Sequence, residues 1–156
     1  MLEMMKDQKF AQMAFVVRDV EKAKTEFSRL FGFKEIPPTC DLGPVETAKT
    51  EYKGRPAPEI ECKIAYFDFE NIQIELMEPN EVPSAWRDWL DVYGESLHHV
   101  SFFVTNTRER IRELEEKGME LVQQGDFADG SGCYAYLDTQ GKLPYLIELL
   151  ENYEKD

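Results

Sequence analysis

QMAFVVRD, residues 12–19, lies over HVSFFVTN, residues 99–106, position by position. Each stretch is apolar, with the β-branched and aromatic content of a strand. Each ends on residues that favour the start of a helix: Asp19 in the first, Asn106 or Thr107 in the second. Val20, Ala23, Phe27, Leu30 and Phe31 then recur at helical spacing, as do Ile111 and Leu114. A glycine stops each helix, Gly32 at 20 residues after Gln12 and Gly118 at 19 after His99.

The match extends outward. IQIELME, residues 72–78, lies over YLIELLE, residues 145–151. IECKIAYF, residues 60–67, precedes the first of these across a DFEN turn and predicts a hairpin. YAYLD precedes the second across a turn at residues 139–142. The pattern of strand, helix and strand pair therefore runs twice. Gln12 and Glu75 are 63 residues apart, and His99 and Glu148 are 49 apart. The segment 37–58, rich in Pro, Thr, Gly and charge, predicts a long loop with at most one short strand, which absorbs the difference. Between the copies, Ser84 caps a helix with Trp86, Trp89, Leu90 and Tyr93 on one face and Gly94 at its end. We expect one α+β domain over residues 1–156, with module 1 at about 8–80, a linker helix at about 84–94 and module 2 at about 96–152.

Strand parity selects the chemistry. Side chains alternate between the faces of a sheet. Met13, Phe15 and Val17 should face the helix, and Gln12, Ala14 and Val16 the other side. The same reasoning sets Glu75 opposite Ile72, Ile74 and Leu76. It sets His99 opposite Val100, Phe102 and Val104, and Glu148 opposite Ile147 and Leu149. Gln12, Glu75, His99 and Glu148 thus share the face away from the helices, at repeat-equivalent positions. A carboxylate inside Ile-Glu-Leu is expensive to bury unless it is paired or bound to metal. Two carboxylates with His and Gln make a plausible divalent metal site. His98 should point to the helix side, or to solvent at the strand end.

Bulk composition excludes several alternatives. The 156 residues are 42% hydrophobic and 12% aromatic, enough for a core, and the net charge of −13 argues against nucleic acid or anionic lipid as a partner. MLEMMKDQKF holds no apolar run of signal-peptide length, and no stretch approaches a membrane span. Cys40, Cys62 and Cys133 are odd in number and widely spaced, as expected of free thiols in the cytoplasm.

QMAFVVRDVEKAKTEFSRLFGF, PSAWRDWLDVYGESLHHVSFFV and LDTQGKLPYLIELLE resemble the vicinal oxygen chelate superfamily of glyoxalases, bleomycin-resistance proteins and dioxygenases. That resemblance implies paired βαβββ modules whose strands form a curled, partly open, barrel-like sheet around a metal cavity. It implies one ligand from the first and one from the last strand of each module, here Gln12, Glu75, His99 and Glu148. The ligand set resembles that of glyoxalase I, and its surroundings resemble methylmalonyl-CoA epimerase.

The resemblance further implies one divalent ion (Ni, Co, Zn or Mn) and a lyase or isomerase. Such an enzyme would remove a proton next to a carbonyl, with the metal stabilising the enediolate or enolate. Glu148 is the expected base and Glu75 its alternative. If Glu61 and Lys63 point into the cavity, Glu61 is an auxiliary base and Lys63 a holder of a substrate carboxylate or thioester oxygen. The expected substrate is a small carbonyl compound or thioester, and the expected assembly is a homodimer that covers open strand edges. The alternative function is non-catalytic small-molecule sequestration of the bleomycin-resistance type.

Overall fold

The computed structural model describes residues 5–42 and 49–155. After a short 3-10 turn, Met5–Asp7, the first copy begins with β1 (Lys9–Val16) and α1 (Val20–Phe31). The Asp19 side chain accepts from Lys22 N, and Gly32 closes α1 in the left-handed region at φ 75°. Three short strands follow: β2 (Cys40–Leu42), β3 (Glu51–Tyr52) and β4 (Arg55–Pro56). The hairpin β5 (Cys62–Asp68) and β6 (Gln73–Pro79) ends the copy, and α2 (Ala85–Tyr93) links it to the next. The second copy runs β7 (Ser96–Phe103), α3 (Thr107–Glu116), β8 (Glu120–Asp126), β9 (Gly132–Asp138) and β10 (Leu146–Asn152).

These strands form one curled, open half-barrel in the order β2-β5-β6-β1-β7-β10-β9-β8-β3-β4. β1 and β7 meet antiparallel at its centre, and each runs parallel to the last strand of its own copy. Gln12 pairs with Ser101 and Ala14 with His99, which is the crossed pattern of a pseudo-twofold axis. Ala14 also pairs with Glu75, and Ser101 with Glu148. The symmetry reaches the helix caps. Glu78 Oε2 accepts from Val20 N at the start of α1 (2.9 Å), and its repeat partner Glu151 accepts from Asn106 N and Thr107 N (3.1 and 2.9 Å) at the start of α3. Asn106 makes no side-chain cap bond of its own.

The convex face is covered by helices. Val17 and Val20 pack with Ala65, Phe67 and Leu76 under α1, and Val100 and Val104 with Ile111, Leu114, Ile147 and Leu149 under α3. On the concave face, Trp86 and Leu90 of α2 pack against Ala14, Val16, Met77, Tyr136 and Leu146. Among the described residues, no helix is long and apolar enough to cross a membrane.

One expectation needs correction. Segment 37–58 contributes three short strands rather than at most one. β3 leaves its own copy and pairs with β8 of the other, while Lys53 and Gly54 (φ 50° and 76°) supply the tight turn to β4. The strand β8, implied by the βαβββ resemblance, is not marked by the hydrophobic pattern, because its centre is polar. Gln123 is buried in it, accepting from Ala85 N at the start of α2 (2.9 Å) and donating to the Tyr134 hydroxyl (3.1 Å).

Candidate metal centre

The concave face encloses a cavity of about 600 Å³. Glu75 on β6 and Glu148 on β10 line it, and with His99 on β7, buried beside them, they bring one ligand atom each to within 4.8 Å of the others. All three are buried. His99 Nε2 is 3.0 Å from Glu148 Oε2 and 3.4 Å from Glu75 Oε2. Both contacts are ion pairs when the imidazole is protonated, and Nε2 is the His99 nitrogen that the two carboxylates border. This donor set, one imidazole nitrogen and two carboxylates, fits a divalent transition ion.

The carboxylates are themselves oriented. Ser101 Oγ donates to Glu148 Oε2 and, at 3.2 Å, to Gln12 Oε1. Gln12 Nε2 donates to Glu75 Oε1 (3.0 Å) and to Gln73 Oε1 (2.6 Å). Gln12 therefore adjoins the centre but turns its amide nitrogen to it. Ligation through its oxygen requires the amide to rotate. Burial, reinforced by the Glu148 charge, pushes the Glu75 carboxyl above its ordinary range. Burial pulls the His99 imidazole down, but the two facing carboxylates outweigh it and raise the group to about 9.

His98 departs from the parity argument. Between Ala14 and Phe15 the β1–β7 register slips, with Ala14 opposite His99 and Phe15 opposite Leu97, so His98 is the extra residue of a bulge. Alternation fails there. The His98 ring is fully buried against Trp89, Tyr136 and the His99 ring rather than lying under a convex helix or in solvent. Its Nε2 lies 3.0 Å from the Ala85 carbonyl, and its Nδ1 lies 2.7 Å from His99 Nδ1. A carbonyl only accepts, so His98 Nε2 carries hydrogen. Burial holds His98 neutral, its imidazole pulled well below the usual range, so its Nδ1 accepts from His99 Nδ1–H. The chain of bonds leaves the His99 Nε2 lone pair as the one available to an ion.

Glu61 and Lys63 are not brought to the centre. Ile60, Ile64 and Tyr66 line the cavity, whereas Glu61 and Lys63 border a separate surface hollow with Asp41 and Glu78. The expectation assumed that the apolar face of β5 turns to the helix. The concave wall is itself apolar here, and the small, buried Ala65 and the ring of Phe67 face α1 instead.

Parity reasoning also passed over two tyrosines. Tyr66 sits across from Glu75 and Tyr136 across from Glu148, and both line the cavity. Burial raises both phenols, so they are neutral hydroxyls. Trp86 Nε1 donates to the Tyr136 oxygen at 3.0 Å. The signal was present: AYFD, residues 65–68, repeats as AYLD, residues 135–138.

A pseudo-symmetric pair of modules with a buried carboxylate on the last strand of each defines the class. The chain belongs to the glyoxalase/bleomycin resistance protein/dioxygenase superfamily, whose family model matches residues 11–137. It is similar to the uncharacterized protein YqjC of Bacillus subtilis (strain 168), at 24% identity over 94 residues, 60% of this chain and 67% of that protein. Among solved structures, the hypothetical protein BH1468 from Bacillus halodurans C-125 superposes with a TM-score of 0.65 at 23% identity, covering 97% of this chain and 99% of that one. A variant of Streptomyces coelicolor methylmalonyl-CoA epimerase in complex with 2-nitronate-propionyl-CoA gives a TM-score of 0.65 at 17% identity, covering 94% and 99%. At these identities the likeness concerns the fold.

Proposed function

We propose that the protein is a divalent-metal-dependent isomerase or lyase that removes a proton from a carbon next to a carbonyl. The observation that carries this reading is the buried Glu75–His99–Glu148 cluster, whose ligand atoms lie within 4.8 Å of one another on the strands that the two copies place in equivalent positions. Glu75, His99 and Glu148 would hold the ion, with Gln12 as a fourth ligand once its amide turns. The ion, when bound, supplies the electrophilic pull on a substrate oxygen that makes the adjacent C–H acidic.

The chain's own groups do the rest. Ser101 fixes Glu148 through Oε2, which leaves Oε1 to take the substrate proton as general base. Glu75, with its raised affinity for protons, is the partner that returns one, or the base itself when the substrate binds in the opposite sense. The coenzyme A ligand of the Streptomyces relative supports an acyl thioester as substrate, and the ligand set supports a glutathione hemithioacetal. We also infer a homodimer, with a second copy covering the end strands β2 and β4, and a cytoplasmic site of action.

Incorporation of deuterium from heavy water into acyl-CoA thioesters and methylglyoxal–thiol adducts tests the reading. Metal-dependent wash-in at the α-carbon is expected, and Glu148→Gln should slow it by roughly 10²–10⁴-fold. Ligand binding that survives chelators, with no exchange at carbon, would replace this reading with sequestration.

A further inference from the structure

The charges on the cavity wall are all of one sign. Glu75 and Glu148 stand at its base, Asp126 at the end of β8, and Asp129 on the segment that joins β8 to β9. Asp129 accepts from Ser131 N and Ser131 Oγ (2.9 and 2.6 Å), bonds that hold its carboxyl below the usual range and keep it ionised. Much of the remaining wall is aromatic: Trp86, Tyr66, Tyr134, Tyr136, Phe103 and Phe127. Among the described residues, no Lys or Arg lines it. Residues 43–48, outside the described residues, contain one charged side chain, Glu46. The Lys9 ammonium lies 5.9 Å from the Phe103 ring centroid, but Lys9 is exposed and its field is screened by water.

A divalent ion at the base would balance Glu75 and Glu148 and leave the half-buried Asp126 uncompensated, while Asp129 is exposed and has the charge of Lys155 in its field. A carboxylate or phosphate entering this space would lose its hydration and find no cation on the wall. An apolar group gains from the aromatic wall, and an ammonium group gains from the aspartates and from the ring faces.

We propose that the part of the substrate held in this cavity carries no negative charge: an aromatic or branched aliphatic carbonyl group, with an amino substituent accepted near Asp126 and Asp129. This inference rests on the metal-centre reading and narrows it. A dicarboxylic acyl group such as a malonyl unit is excluded from the cavity, whatever carrier remains outside.

Three hydroxamates of one shape test it: benzohydroxamic acid and its 4-carboxy and 4-aminomethyl derivatives, titrated calorimetrically into nickel-loaded and chelator-treated protein. The neutral and ammonium probes should bind, and the carboxylate should bind at least about tenfold more weakly. The double variant Asp126→Asn/Asp129→Asn should narrow that gap and remove any advantage of the ammonium probe. A carboxylate probe that binds as tightly as the neutral one overturns the proposal, as does failure of all three to bind. The charge order appearing equally without nickel would overturn the metal reading and leave this one standing. Nickel-dependent binding that favours the carboxylate would do the reverse.

Discussion

His99 Nε2 and Glu148 Oε2 lie 3.0 Å apart, a buried ion pair in metal-free protein. The imidazole is fixed from behind by His98, and the carboxylate from the side by Ser101. Both groups are therefore held in position from outside the pair. Glu75, reached through the pseudo-twofold axis, closes the third side at 3.4 Å from the same nitrogen. Burying two carboxylates this close costs several kcal/mol without compensating positive charge. In metal-free protein the His99 imidazolium supplies part of it, and a divalent ion at their centre would supply the rest.

Glutamine substitution separates binding from folding. In metal-free protein, Glu75→Gln keeps the shape of the side chain and removes both the repulsion from Glu148 and the attraction to the His99 imidazolium. The two oppose each other, so its melting temperature should stay within a few degrees of the parent. Added metal should stabilise the parent and leave the variant unchanged. Thermal melts with and without metal check both halves, and a variant strongly destabilised in metal-free protein contradicts this account.

Metal affinity should rise with pH. The His99 group is raised to about 9 by the facing carboxylates, so at neutral pH an ion must displace its proton. Affinity should then weaken by about tenfold for each unit of pH below that value. In metal-free protein the same raised value stabilises the fold below the ordinary histidine range, and this contribution is lost as pH rises through about 9. Calorimetric titrations at several pH values measure the slope, and a flat profile refutes the displacement.

His98 positions His99 without touching the ion. His98→Ala should still bind metal, with affinity reduced by roughly tenfold or more. It also leaves the Ala85 carbonyl and the His99 Nδ1–H without these partners and opens a cavity beside Trp89, so about 2–4 kcal/mol of stability should go. Nitrogen-15 NMR of the imidazoles provides a separate readout. In metal-free protein above about pH 9, the parent should show His99 with hydrogen on Nδ1, and the variant a mixture of tautomers.

Glu61→Gln and Lys63→Met change the convex side of β5. Metal affinity and any proton-exchange rate should stay within about twofold of the parent, as for surface substitutions away from a site. A larger loss in either would return these residues to the chemistry.

Much of this architecture is legible in the chain itself, because two physical signals reinforce one another. Apolar alternation sets which side of each strand is buried, and the repeat says which polar interruptions matter. Together they single out Glu75, His99 and Glu148 from 31 acidic residues and 2 histidines. The failures occur where one signal breaks. A bulge suspends alternation at His98. β5 has apolar residues on both faces, so parity alone cannot orient Glu61 and Lys63. β8 carries its information in the hydrogen bonds of Gln123, which no pattern of hydrophobicity reports. The contribution of β3 to the far module depends on a tertiary pairing that nothing local in residues 51–52 specifies.

The central claim is that Glu75, His99 and Glu148 together hold one divalent ion. Its most direct test is calorimetric titration of tag-free, chelator-treated protein with Ni, Co, Zn and Mn, beside the His99→Ala variant. The account predicts one ion bound per chain for at least one of these metals, and its loss in the variant. No binding by the parent, or equal binding by His99→Ala, would contradict it.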